Sequence, residues 1–69
     1  MYKLIDIATH EAVEPGNIVF THQREAVTLV RYEPPRGGRN GRIVCRAESG
    51  SERELFPIAC GLIFVRSPS

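Results

Sequence analysis

Short apolar and β-branched runs, each cut off by glycine or proline, succeed one another along the chain at roughly the 8- to 12-residue spacing of an all-β domain. Tyr2 to Ile7 reads as extended, while Ile7 to Val13 fits either further extended chain or a short helix. Glu14-Pro15-Gly16 breaks the pattern, because proline fixes φ and glycine opens positive φ, and it launches Asn17 to Thr21 as a strand. Ala26 to Tyr32 holds Val27, Thr28 and Val30 plus an aromatic, which favours strand over helix, and Pro34-Pro35 stops it. Pro34 to Gly41 is the longest loop, and its Asn40-Gly41 pair predicts the hairpin turn, since both residues tolerate positive φ. Arg42 to Ala47 then alternates, with Ile43, Cys45 and Ala47 on one face and Arg42, Val44 and Arg46 on the other. Ser49-Gly50-Ser51 predicts a tight turn into Glu52 to Phe56, which Pro57 closes. Ile58 to Gly61 reads as a single 3₁₀ turn before a last strand from Leu62 to Val65, and residues 67–69 as a frayed tail.

These elements predict one antiparallel barrel of five or six strands over residues 15–66. An N-terminal extension, residues 1–14, precedes it as strand or short helix. With 69 residues, 42% of them hydrophobic, there is room for a single core. Its expected members are Val19, Leu29, Ile43, Cys45, Phe56, Ile58 and Ile63, with Phe20 also read as core. No repeat or low-complexity tract divides the chain. Ile18 to Phe20, Leu55-Phe56 and Leu62 to Val65 put apolar groups on both faces of their strands, whereas a lone small barrel buries one face and wets the other. Either Tyr2 to Ile7 covers part of that second face, or a second copy or a protein partner does.

Charge narrows the function classes. Nine basic against eight acidic residues leave +1, too neutral for a surface devoted to nucleic acid. The distribution is uneven: Arg31, Arg36, Arg39, Arg42 and Arg46 face only Glu33 within their stretch, a local +4, and the remaining four basic and seven acidic residues sum to −3. Lys3 is the single lysine, so the cationic groups are overwhelmingly guanidinium forks suited to carboxylate, phosphate and aromatic partners. No apolar run approaches the roughly 20 residues of a membrane span, and the N-terminus lacks a charged-then-apolar leader, which predicts a cytoplasmic protein. Cys45 and Cys60 read as free, buried thiols.

Gly16, Asn17 and Val19 at the start, and Phe56, Pro57, Ile58 and Leu62 at the end, resemble the residues that bracket a Src-homology-3-like small barrel, over about Pro15 to Val65. The resemblance implies a five-stranded scaffold that serves ribosomal and transcription KOW modules, Tudor modules, peptide binders and a few enzymes. Within that group Arg53 to Pro57 is similar in position to the Val-Gln-Ile-Tyr-Pro stretch of the type II dihydrofolate reductases, tetramers whose central pore binds folate and NADPH. The pore-lining glutamine and tyrosine of that family are Glu54 and Phe56 here, so the resemblance implies an oligomerising barrel and carries over no catalytic residue. A pore-type oligomeric enzyme stays a remote alternative.

The chemistry-bearing residue types are present without the spacing that chemistry needs. His10, His22, Cys45 and Cys60 contain no pair at zinc-knuckle spacing, and Cys45 lies on the apolar face of its strand, where a thiolate is disfavoured. Glu52 and Glu54 project from one strand face roughly 7 Å apart, a separation open to acid/base pairs but better explained by a solvated strand edge. Arg36-Gly-Gly-Arg39-Asn-Gly-Arg42 lacks the lysine and following helix of a phosphate cradle. No catalytic residue, metal site, cofactor or small-molecule substrate is therefore expected. The candidate binding set is the basic hairpin, Arg31, Arg36, Arg39, Arg42 and Arg46, with Tyr32 beside it for stacking. The favoured expectation is a non-enzymatic protein-interaction module that self-associates or docks on a protein partner. The alternative is an RNA- or DNA-binding barrel that uses the same hairpin, and the near-neutral charge favours the protein.

Overall fold

Each apolar run becomes a strand in the computed structural model, which describes residues 2–66. In chain order these are β1 (Tyr2–Asp6), β2 (Ile18–Phe20), β3 (Ala26–Glu33), β4 (Arg42–Ala47), β5 (Glu52–Leu55), a 3₁₀ turn (Pro57–Cys60) and β6 (Leu62–Arg66). The tail expected at 67–69 lies outside the described residues. The strands form two antiparallel sheets, a β1-β6 ribbon and a four-stranded β2-β3-β4-β5 meander. No ladder joins them, so no closed barrel is found among the described residues. None of the described helical segments is long and apolar enough to cross a membrane.

The segment that fitted either strand or helix after Ile7 is a turn. Asp6 explains it: one carboxylate oxygen accepts the amide N–H of Ala8 at 2.8 Å and of Thr9 at 3.3 Å, offering the backbone an alternative to helical bonds. His10 then adopts a left-handed φ of 63°, and the Val13 N–H donates to the Leu4 carbonyl at 2.8 Å. The segment read as an extension thereby supplies Leu4 and Val13 to the core.

The turn at the arginine hairpin is a correction. Arg36 and Arg39 exchange backbone hydrogen bonds at 3.2 and 2.9 Å, and Gly37 takes φ 58°, so the chain reverses at Gly37-Gly38 rather than at Asn40-Gly41. Both glycine pairs could make a turn. Gly41 is committed elsewhere: it is buried, and the Phe64 ring and Pro35 occupy the space its side chain would need.

Leu4, Val13, Val19, Val27, Leu29, Ile43, Cys45, Cys60 and Leu62 build the core, and Tyr32, Ala47, Leu55 and Phe64 pack against it. Val19, Leu29, Ile43 and Cys45 are inside as expected, and the β4 alternation holds. Phe20, Phe56, Ile58 and Ile63 are not core: they are 61%, 48%, 67% and 47% exposed. Strand parity accounts for two of them, because burying Val19 turns Phe20 outward and burying Leu62 does the same to Ile63. Phe56 precedes the 3₁₀ turn and Ile58 lies on its outer side, and the turn instead buries Pro57 and Cys60. Val44 is also buried, on the face opposite Ile43 and Cys45, where its register partners are Arg31 on β3 and Glu54 on β5.

Candidate functional site

The arginine hairpin forms one wall of a groove of about 770 Å³. Its other side is aromatic. Leu4 pairs with Phe64 across the β1-β6 ribbon, and Tyr32 pairs with Ile43 across β3-β4, so strand register brings Tyr2 and Tyr32 to the same Phe64 ring. Tyr2 meets it edge-on with centroids 6.4 Å apart, and Tyr32 at a tilt with centroids 5.7 Å apart. Pro34 and Pro35 line the space between the rings and the turn, and Pro35 limits the torsional freedom of the loop. Arg36, Arg39, Asn40 and Arg42 face Tyr2, Tyr32, Glu33 and Glu54 around the groove.

Three of the five arginines are already engaged. The Arg46 guanidinium forks onto Glu52, Nη2 at 2.6 Å and Nε at 3.2 Å from the same oxygen. Arg42 donates to Glu54 at 2.8 Å and lies over the Phe56 ring, 4.9 Å from its centroid. Arg31 approaches Glu33 at 3.9 Å. All of these pairs are solvent-exposed, so each contributes only about 0.2–1 kcal/mol, and Glu52 and Glu54 together halve the local excess of positive charge. Among the described residues Arg36 and Arg39 have no ion-pair partner and no side-chain hydrogen bond.

Of the residues expected to act together, the structure gathers Tyr32, Arg36, Arg39 and Arg42, while Arg31 and Arg46 do not line the groove and belong to exposed charge pairs on the sheet. Tyr2 joins the groove unannounced. Its only signal is the pairing of the first and last strands, which sets it across from Arg66 and next to Phe64 in the register.

Cys45 and Cys60 are free and buried, and each bears on the other's titration. Burial, reinforced by the neighbouring Cys60 and opposed by Arg53, pushes the Cys45 thiol up to about 11. Burial raises Cys60 as well, opposed by the Cys45 contact and by Arg53. Neither thiol is poised as a nucleophile. An acid whose folded pKa is raised holds its neutral form in the native state, so this stabilisation is complete below the ordinary thiol value of 9.0 and is lost as pH climbs through about 11. Urea midpoints should therefore hold up to the ordinary thiol value and fall above it, and Cys45→Ser should flatten that fall; an equally steep fall in the variant assigns the effect to other groups. Among the described residues no cluster of His, Cys, Asp and Glu is arranged to hold a metal ion, and His10 and His22 are both exposed.

Set against protein-family models, curated proteins and solved structures, the chain finds no significant match in any of the three.

Proposed function

We propose that this protein is a non-enzymatic protein-interaction module whose groove between the arginine hairpin and the Tyr2-Tyr32 wall receives an extended, acidic segment of a protein partner. The observation that carries the reading is that, among the described residues, Arg36 and Arg39 stand without an ion-pair partner beside half-buried tyrosine and proline surface. A guanidinium fork and a tyrosine ring are the side chains that dominate protein interfaces, and an incoming carboxylate would supply what the two arginines lack. The order of elements supports a scaffold of the Src-homology-3-like kind: a three-stranded meander β3-β4-β5, a 3₁₀ turn, and a last strand returning to the N-terminal one. On this reading the two sheets are the halves of a small barrel. A reducing, cytoplasmic setting accords with two cysteines kept as free thiols.

Binding of nucleic acid through the same groove is the second reading, favoured by the two tyrosines beside the cations. It is the weaker one because two unengaged arginines release few counterions, and the affinity would fall with salt by a slope of only about −1.8 on a duplex. Arg36→Ala/Arg39→Ala is the variant that tests both, since Arg42 is tied to Glu54 and Phe56 and its removal would disturb the scaffold. A labelled peptide rich in Glu and Tyr should bind, and the double change should weaken it by roughly tenfold or more. Labelled single- and double-stranded oligonucleotides should show negligible binding at about 150 mM salt. Micromolar oligonucleotide binding at that salt, abolished by the double change, overturns the protein reading in favour of the nucleic-acid one.

A further inference from the structure

The two outer strands of the meander are finished differently. β5 carries Glu52 and Glu54, each in an ion pair with β4, and Arg53, paired with Glu25 of the loop between β2 and β3; such charges are how natural sheets discourage pairing at an edge. β2 carries Ile18 and Phe20, 65% and 61% exposed. Its backbone is open as well. Leu29 N–H donates to the Asn17 carbonyl and Thr21 N–H to the Glu25 carbonyl, so residues 17, 19 and 21 are the ones bonded toward β3. The alternation of an antiparallel ladder then turns the N–H and C=O of Ile18 and Phe20 away from β3, and no loop or side-chain group among the described residues bonds to them. A groove of about 500 Å³ runs beside this edge, floored by Val13, Val19 and Cys60.

We propose that β2 is a self-association edge, and that a second copy of this chain adds its own β2 antiparallel to it about a twofold axis through Val19. The register is self-complementary. Ile18 of each copy falls opposite Phe20 of the other, and these are the residues whose outward amides can exchange both N–H···O=C bonds, while Val19 faces Val19 in the intervening non-bonded pair. The same register sets an exposed branched aliphatic beside an exposed aromatic on one face, a favourable cross-strand combination. Charge agrees with the direction. Glu14 sits at the turn leading into β2, its carbonyl accepting from Asn17 at 3.0 Å, and Arg24 in the turn leading out, its N–H donating to Thr21 at 2.8 Å. Neither has an ion-pair partner among the described residues, and antiparallel addition brings the Glu14 end of each copy to the Arg24 end of the other. A parallel arrangement would oppose like charges.

This edge is separate from the arginine groove, so Arg36→Ala/Arg39→Ala should leave association unchanged whether or not the groove binds a peptide. Sedimentation of the full chain up to about 1 mM should show a reversible dimer of the modest affinity expected of a small interface. Amide exchange at Ile18 and Phe20 should slow as concentration rises, while Val19, already bonded to β3, stays constant. Ile18→Lys or Phe20→Lys should weaken the dimer by roughly tenfold or more. Glu14→Arg should weaken it too, and Arg24→Glu added to it should restore it. A chain that stays monomeric at the top of this range, a dimer indifferent to both lysine changes, or a dimer in which the Ile18 and Phe20 amides exchange as fast as in the monomer overturns the proposal. Failure of the double reversal to restore association overturns the antiparallel register. The exchange measurement needs no variant, so the test stands even where a lysine change impairs folding.

Discussion

Replacing Ile43 by alanine should bring the domain to the edge of unfolding. Ile43 is fully buried at the centre of the four-stranded sheet, opposite Tyr32 on one side and Leu55 on the other. Truncating such a side chain loses its transfer free energy and leaves a cavity that a short sheet cannot collapse around, a cost of about 2–5 kcal/mol. A chain of 69 residues has a total stability of roughly 3–10 kcal/mol. The urea midpoint should fall by about half or more with the slope unchanged, because the surface exposed on unfolding is nearly the same. Ile58→Ala is the matched control: Ile58 is two-thirds exposed, and its truncation should move the midpoint little. Equal losses in the two variants would mean that the 3₁₀ turn is as much a part of the core as β4.

That pair of residues also marks how far the fold could be read from the chain. Alternation along β4 is a local property, and it places Ile43 and Cys45 inward, where the structure has them. Phe56 and Ile58 straddle Pro57, where the strand period gives way to a 3₁₀ turn, and no local period says which side chain the turn buries. Hydrophobicity alone puts Phe20 in the core, but strand parity turns it out: with Val19 inward, a three-residue strand has no way to bury both of its neighbours. Of the groove, the hairpin arginines and Tyr32 are contiguous enough to be noticed together. Tyr2 lies about sixty residues from Phe64 in sequence, and only the β1-β6 pairing unites them. The neutralisation of Arg42 and Arg46 was equally out of reach, since Glu54 and Glu52 become their partners through the β4-β5 register.

Gly41→Ala should cost about 1–3 kcal/mol and distort the groove, although it adds a single methyl group. Strained backbone is not the reason, since Gly41 is not among the residues with positive φ. The reason is space: the new carbon would fall within the contact distance of the Phe64 ring and 2.9 Å from Cδ of Pro35. Neither neighbour yields easily. The Phe64 ring packs between Tyr2 and Tyr32 against the core, and the pyrrolidine ring of Pro35 is rigid. Movement of Phe64 must be passed to both tyrosines, so the variant should alter near-ultraviolet circular dichroism and Tyr ring resonances as well as the urea midpoint. Gly38→Ala separates this from a general loss of glycine, because an alanine there meets nothing within 4 Å and needs no positive φ. That change should be neutral or stabilise by about 0.4–1 kcal/mol through the unfolded chain. If Gly41→Ala instead matches the wild type in both stability and tyrosine signals, the Phe64 ring does not pack against this glycine, and the aromatic wall of the groove is not held as described.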